Sequence, residues 1–144
     1  MILILAQDLR TRIEAEARTA YPNECCGLLE GMRDGGTIRA LAMHPSANLA
    51  PDPATGFELD PVLHLRLLRC LRGTGREVVG CYHSHPNGRP LPSARDRAGG
   101  GEEGFVWVIA AFGADSAATI GAFHGAAFEA LALVADPRPG GAVA

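Results

Sequence analysis

Residues 77–96 read EVVGCYHSHPNGRPLPSARD. The first nine are mostly β-branched, aromatic or small and predict a central strand. Pro86 to Pro92 make a loop rich in Pro and Gly, after which Ser93 is placed to cap a short helix through Ala98. On the strand, His83 and His85 stand two residues apart, so their side chains leave the same face. Their backbones are roughly 6–7 Å apart, which lets two imidazoles converge on one metal ion. An isolated pair of this kind is more often two polar residues at a strand's end. Asp96 shifts that balance, because a carboxylate in the first turn after Ser93 can come back to the strand terminus. Two histidines and one carboxylate would leave a tetrahedral zinc with its fourth position open to water, the catalytic rather than the structural arrangement.

Such a centre needs a proton carrier. Glu24 opens the apolar stretch ECCGLLEG, residues 24–31, where strand propensity argues against a carboxylate. It is read as the general acid/base, with a capping or surface role as the alternative. The Ser93 hydroxyl has two uses open to it, capping the helix and donating to the oxyanion that develops on a polarised carbonyl. Ser84, between the histidines, should face the other way and serve packing or a supporting hydrogen bond. Cys81 shares parity with His83, but a Cys/His thiol reading leaves Asp96 and the second histidine without roles.

Outward from this centre the elements alternate. Residues 2–5 form a short strand, and Leu9, Ile13, Ala17 and Ala20 have helical spacing until Tyr21-Pro22 stops it. ECCGLLEG is a strand, Asp34-Gly35-Gly36 a hairpin turn, and TIRALAM its partner. Pro45 to Pro53 is loop and GFELD a brief extended piece. Asp60 caps a helix that carries Pro61 at its first position and buries Leu63, Leu67, Leu68 and Leu71. FVWVIAAF is a buried strand with Trp107 in the core, and ATIGAFHG with AFEALALV is expected to form a closing hairpin around Gly125. The sum is a single α/β domain over residues 1–136, a mixed sheet flanked by two main helices, with a flexible tail at 137–144.

Bulk properties narrow the function. At 144 residues, 47% hydrophobic and 20% charged, the chain is one ordinary globular domain. A formal charge of −3 gives no footprint for nucleic acid or an anionic membrane. The apolar opening MILILA is too short for a leader or a span, so the cytoplasm is the expected compartment. Cys25, Cys26, Cys70 and Cys81 form no C-x-x-C pair, which argues against a thiolate zinc knuckle and leaves the adjacent pair as buried free thiols.

The ordered set Glu24, His83-x-His85, seven residues, Ser93, two residues, Asp96 resembles the JAMM (MPN-plus, Mov34/PAD-1) metalloprotease signature. The likeness covers roughly residues 5–125, with YPNECCGLLEG, PDPATGFELDP and EVVGCYHSHPNG similar to the family's acidic strand, insertion segment and metal-binding strand. It implies a cytidine-deaminase-like sandwich with one catalytic zinc per chain. His83, His85 and Asp96 would be the ligands and water the fourth, Glu24 the general acid/base and Ser93 an oxyanion stabiliser. The implied activity is hydrolysis of a peptide or isopeptide bond after the C-terminal Gly-Gly of a small ubiquitin-like sulfur carrier, or in a peptide substrate. A catalytically silent scaffold for protein assembly is the alternative. Two departures stand out. Glu30 occupies a position usually apolar and shares strand parity with Glu24, making it a rival acid. The segment from Pro45 to Asp60 is short, which speaks against linkage-specific reading of ubiquitin chains. An extended Gly-Gly tail suits a narrow cleft, and the segment near Phe57 is expected to pair with it as an added strand.

Overall fold

The computed structural model describes residues 1–113 and 117–141. Strand β1 (Ile2–Ala6) leads straight into α1 (Gln7–Ala20), which buries Leu9, Ile13 and Ala17 at the expected spacing. The hairpin β2 (Cys26–Asp34) and β3 (Thr37–Ser46) follows, then α2 (Pro61–Leu71), β4 (Glu77–His85) and the short α3 (Ala94–Ala98). After them come β5 (Val106–Ala111), β6 (Thr119–His124), β7 (Glu129–Ala130) and β8 (Ala132–Asp136). The Asp60 carboxylate accepts from the Val62 N–H with Pro61 in the first turn, so the chemistry of that helix start is as anticipated.

One mixed sheet of eight strands holds these pieces in the order β7-β6-β5-β4-β2-β3-β1-β8. β4 is central, antiparallel to β2 and parallel to β5. The expected closing hairpin is realised only in part. Glu129–Ala130 pair with β6, whereas Ala132–Asp136 cross to the opposite edge and pair in parallel with β1. Leu131 alone separates the two, its N–H donating to the Ala122 carbonyl at 2.8 Å, so the sheet must curl until its edges meet. Local alternation predicts a strand but not which edge receives it.

The curled sheet has two buried faces. Leu3, Leu5, Leu9, Ile13, Leu29, Val79, Tyr82, Val106 and Val108 fill the α1 side. Leu28, Leu67, Cys81, Trp107, Ile109, Phe123 and Phe128 fill the α2 side. Gly140 and Gly141 lie against the first: the Gly140 N–H donates to Asp8, and Arg76 reaches the Gly141 carbonyl, while residues 142–144 of the expected tail lie outside the described residues. None of the described helices is long and apolar enough to cross a membrane.

Gly80 sets how closely β4 and β5 approach. A Cβ there would overlap the Val106 carbonyl, its partner in the parallel ladder. Gly80→Ala should therefore destabilise the fold by about 1–3 kcal/mol, lowering the midpoint of thermal unfolding by roughly 3–10 °C. Gly36→Ala is the control, since at that position only Met1 Cα lies within 4 Å. Equal melting of the two variants by circular dichroism would refute the steric argument.

Candidate metal centre

The end of β4 that carries His83 and His85 is fully covered: the two rings are 0% and 3% exposed. Pairing of Cys26 with His83 brings the first residues of β2 alongside. A reciprocal clasp fixes that junction. The Ser84 hydroxyl accepts from the Cys25 N–H at 2.8 Å, and the Ser84 N–H donates to the Cys25 carbonyl at 3.1 Å. Ser84 thus faces away from the histidines, as strand parity requires, and holds the residue next to Glu24 in place. The insertion segment adds a second hold. The Glu24 N–H donates to the Pro53 carbonyl at 2.7 Å, and the Asn48 amide donates to the Glu24 carbonyl at 3.0 Å.

Asp96 arrives through a capping box. Its N–H donates to the Ser93 hydroxyl at 3.0 Å, while its Oδ2 accepts from the Ser93 N–H at 2.8 Å. That geometry turns the carboxylate back onto β4. Asp96 Oδ2 lies 3.2 Å from His83 Nε2 and 3.0 Å from His85 Nε2, and the two nitrogens are 3.0 Å apart. His85 Nδ1 donates to the Arg89 carbonyl at 2.8 Å, leaving Nε2 as a lone pair in the neutral ring. Three electron-rich atoms therefore meet at nearly equal separations. Zinc–nitrogen bonds of about 2.0–2.1 Å at tetrahedral angles call for donors about 3.3 Å apart, so the set fits such an ion with little adjustment.

Glu24 completes the cluster. It is 6% exposed, its Oε1 is buried with no hydrogen-bond partner among the described residues, and it lies with His83 and His85 where each offers a ligand atom within 4.8 Å of the others. Burial pushes its carboxyl up to about 7; His85 and Arg95 pull against that and the Asp96 charge adds to it. Burial also lowers His83, with Asp96 opposing. For His85 the burial effect is outweighed by hydrogen bonds to Asp96 and the Arg89 carbonyl, and its value rises. Asp96, although buried, is held far below the usual carboxylate range by His83, His85 and the Ser93 N–H.

Phe57 walls the site, its ring stacked on His83 at a centroid distance of 4.2 Å and 20°, and T-shaped to Trp107 at 5.6 Å. Sequence reasoning places its segment beside the cleft but not its ring on a histidine, which requires knowing where the loop folds over. Trp107 belongs to the core, 9% exposed against Phe128 and Phe57. Glu30 is no rival acid. A bulge at Leu29/Glu30 breaks the simple parity count, Glu30 pairs with Val78 at the other end of β4, and its oxygens are taken by His44 (2.8 Å) and Arg76 (3.0 Å). Cys25, Cys26 and Cys81 are buried free thiols, pushed by burial to about 12, about 11 and higher still, which removes them as nucleophiles.

The chain has relatives among known proteins. Over 111 residues the chain is 40% identical to the desampylase of Haloferax volcanii, covering 74% of this chain and 78% of that one. It is 33% identical over 96 residues to the probable TtuB-protein conjugate cleaving protease of Thermus thermophilus, covering 67% of this chain and 62% of the relative. A solution structure of a Desulfitobacterium hafniense protein superposes with a TM-score of 0.82 at 27% identity, over 96% of this chain and 95% of that one. Residues 6–122 match the model of the prokaryotic homologs of the JAB domain, and the chain belongs to that family.

Proposed function

We propose that the domain of residues 1–136 is a cytoplasmic zinc-dependent isopeptidase. It cleaves the amide bond that follows the C-terminal Gly-Gly of a small ubiquitin-like carrier protein. The observation that carries this reading is the meeting of His83 Nε2, His85 Nε2 and Asp96 Oδ2 within 3.0–3.2 Å of one another, beside the Glu24 carboxylate, whose Oε1 has no hydrogen-bond partner among the described residues. The names of the two relatives, a desampylase and a conjugate-cleaving protease, support the substrate class.

His83, His85 and Asp96 would hold one zinc, which when bound polarises the scissile carbonyl and lowers the pKa of a coordinated water to about 7. The protein's own residues do the rest. The Arg89 carbonyl fixes the His85 tautomer, and the Phe57 ring keeps bulk water from His83. Glu24 takes the proton of the attacking water and hands it to the departing amine. The Ser93 oxygen already accepts from the Asp96 N–H, so its hydroxyl proton is free to donate to the carbonyl oxygen as that atom gains charge. Capping and catalysis use different sites on one oxygen.

Incubation of the zinc-loaded protein with a Gly-Gly-terminated carrier joined through an amide, followed by intact-mass measurement, tests this. The carrier should lose the mass of the attached group, and a chelator should stop the reaction. A chain that takes up no zinc would be a scaffold; one that binds about one equivalent yet cleaves nothing would refute the substrate class.

A further inference from the structure

Glu24 lies two residues ahead of β2 and outside its ladder, so sheet pairing does not fix it. Both of its backbone groups are held by the segment that follows β3. The Glu24 N–H donates to the Pro53 carbonyl at 2.7 Å, and the Glu24 carbonyl accepts from Asn48 Nδ2 at 3.0 Å. Asn48 is the hub of that segment. Its Nδ2 also donates to the Gly56 carbonyl at 3.0 Å, and its Oδ1 accepts from the N–H groups of Ala50 at 3.0 Å and Glu58 at 3.1 Å. All four hydrogen-bonding sites of the amide are used, and only one orientation of it satisfies them. The Leu49 N–H adds a bond to the Glu58 carbonyl at 2.9 Å. Gly56 and Glu58 are thus held as alternate residues of an extended chain are held by a neighbouring strand. Phe57 between them makes no backbone hydrogen bond among the described residues, and its ring is the one stacked on His83.

We infer that Asn48 is a positioning residue for the reaction, setting the Glu24 carboxylate and the Phe57 wall as one unit. The inference rests on the isopeptidase reading. A general acid/base must stand within hydrogen-bond reach of the proton it moves. The Glu24 Oε1 has no partner among the described residues to hold it there, so its place depends on how its backbone is tied. A displacement of about 1 Å in such a group costs on the order of 10²-fold in rate. The same amide sets the segment whose unpaired Phe57 N–H and carbonyl are available to a substrate backbone. Aspartate has the size of asparagine but lacks both N–H donors, and it turns a carboxylate oxygen toward the Glu24 and Gly56 carbonyls. Asn48→Asp therefore cuts the tie between acid and wall, while the Ala50 and Glu58 bonds can persist.

The test is a double-mutant cycle on zinc-loaded protein, combining Asn48→Asp with Glu24→Gln and reading kcat and KM on a Gly-Gly-terminated carrier joined through an amide. Alone, Asn48→Asp should lower kcat by about 10²-fold and raise KM by about fivefold, the worth of one lost backbone hydrogen bond. Zinc content should not change, because none of the Asn48 bonds goes to His83, His85 or Asp96. In the Glu24→Gln background the same substitution should leave kcat within about twofold, since the group it positions is gone, while the rise in KM persists. Equal losses of kcat in both backgrounds, or a change confined to kcat or to KM, overturn the positioning role alone. Asn48→Ala, which removes all four bonds, should be at least as impaired as Asn48→Asp. Loss of the fold in both variants by circular dichroism would make Asn48 a residue of the fold and overturn the inference. Zinc-loaded wild-type protein that cleaves no such carrier overturns the isopeptidase reading, and the inference with it.

Discussion

Glu24→Gln is expected to bind as much zinc as the wild type while kcat falls by roughly 10²–10⁴-fold, the usual contribution of a positioned acid/base. Glutamine has the volume of glutamate, so the backbone holds from Pro53 and Asn48 and the packing against β4 should survive. What it removes is a carboxylate with a free oxygen, 6% exposed and pushed up to about 7 by burial. Metal analysis, a melting curve and turnover on one preparation separate the outcomes. Retained turnover would strip Glu24 of its role. Zinc lost together with turnover would make Glu24 a ligand, the competing use of the Glu24, His83 and His85 grouping.

How much of this was legible from the chain differs by residue, for physical reasons. His83, His85 and Asp96 could be brought together in advance because each link is short and geometric: strand parity aligns the imidazoles, and a capping box returns the Asp96 carboxylate. The Asp60 cap and Pro61 mark α2 for the same reason. Strand parity makes Glu30 a rival acid only while the ladder is unbroken, and the bulge at Leu29/Glu30 is a property of the pairing of β2 with β4 rather than of local sequence. The crossing of Ala132–Asp136 to β1 lies beyond local sequence likewise, since an edge can be chosen only when the whole sheet exists.

Asp96→Asn should separate the roles of the remaining carboxylate most sharply, with zinc affinity falling by more than the roughly 10–100-fold that loss of an outer supporting partner costs. Asparagine keeps the size of the side chain and can still accept from the Ser93 N–H, so α3 should keep its cap. The negative charge is what disappears. Asp96 Oδ2 is the one atom that faces both Nε2 nitrogens, at 3.2 and 3.0 Å, and its ionised form is favoured far below the ordinary carboxylate range by them and by Ser93. A neutral amide oxygen offers the cation less at the same place, and an amide nitrogen turned inward would repel it. Competition against a chelator of known affinity measures the loss, and circular dichroism confirms that the fold is intact. Wild-type affinity in Asp96→Asn would move the third ligand to Glu24 and leave Asp96 as a helix cap that only orients the histidines. Read with Glu24→Gln, the pair of zinc measurements assigns the two carboxylates independently of turnover: one variant should keep the metal without chemistry, and the other should lose chemistry because it has lost the metal.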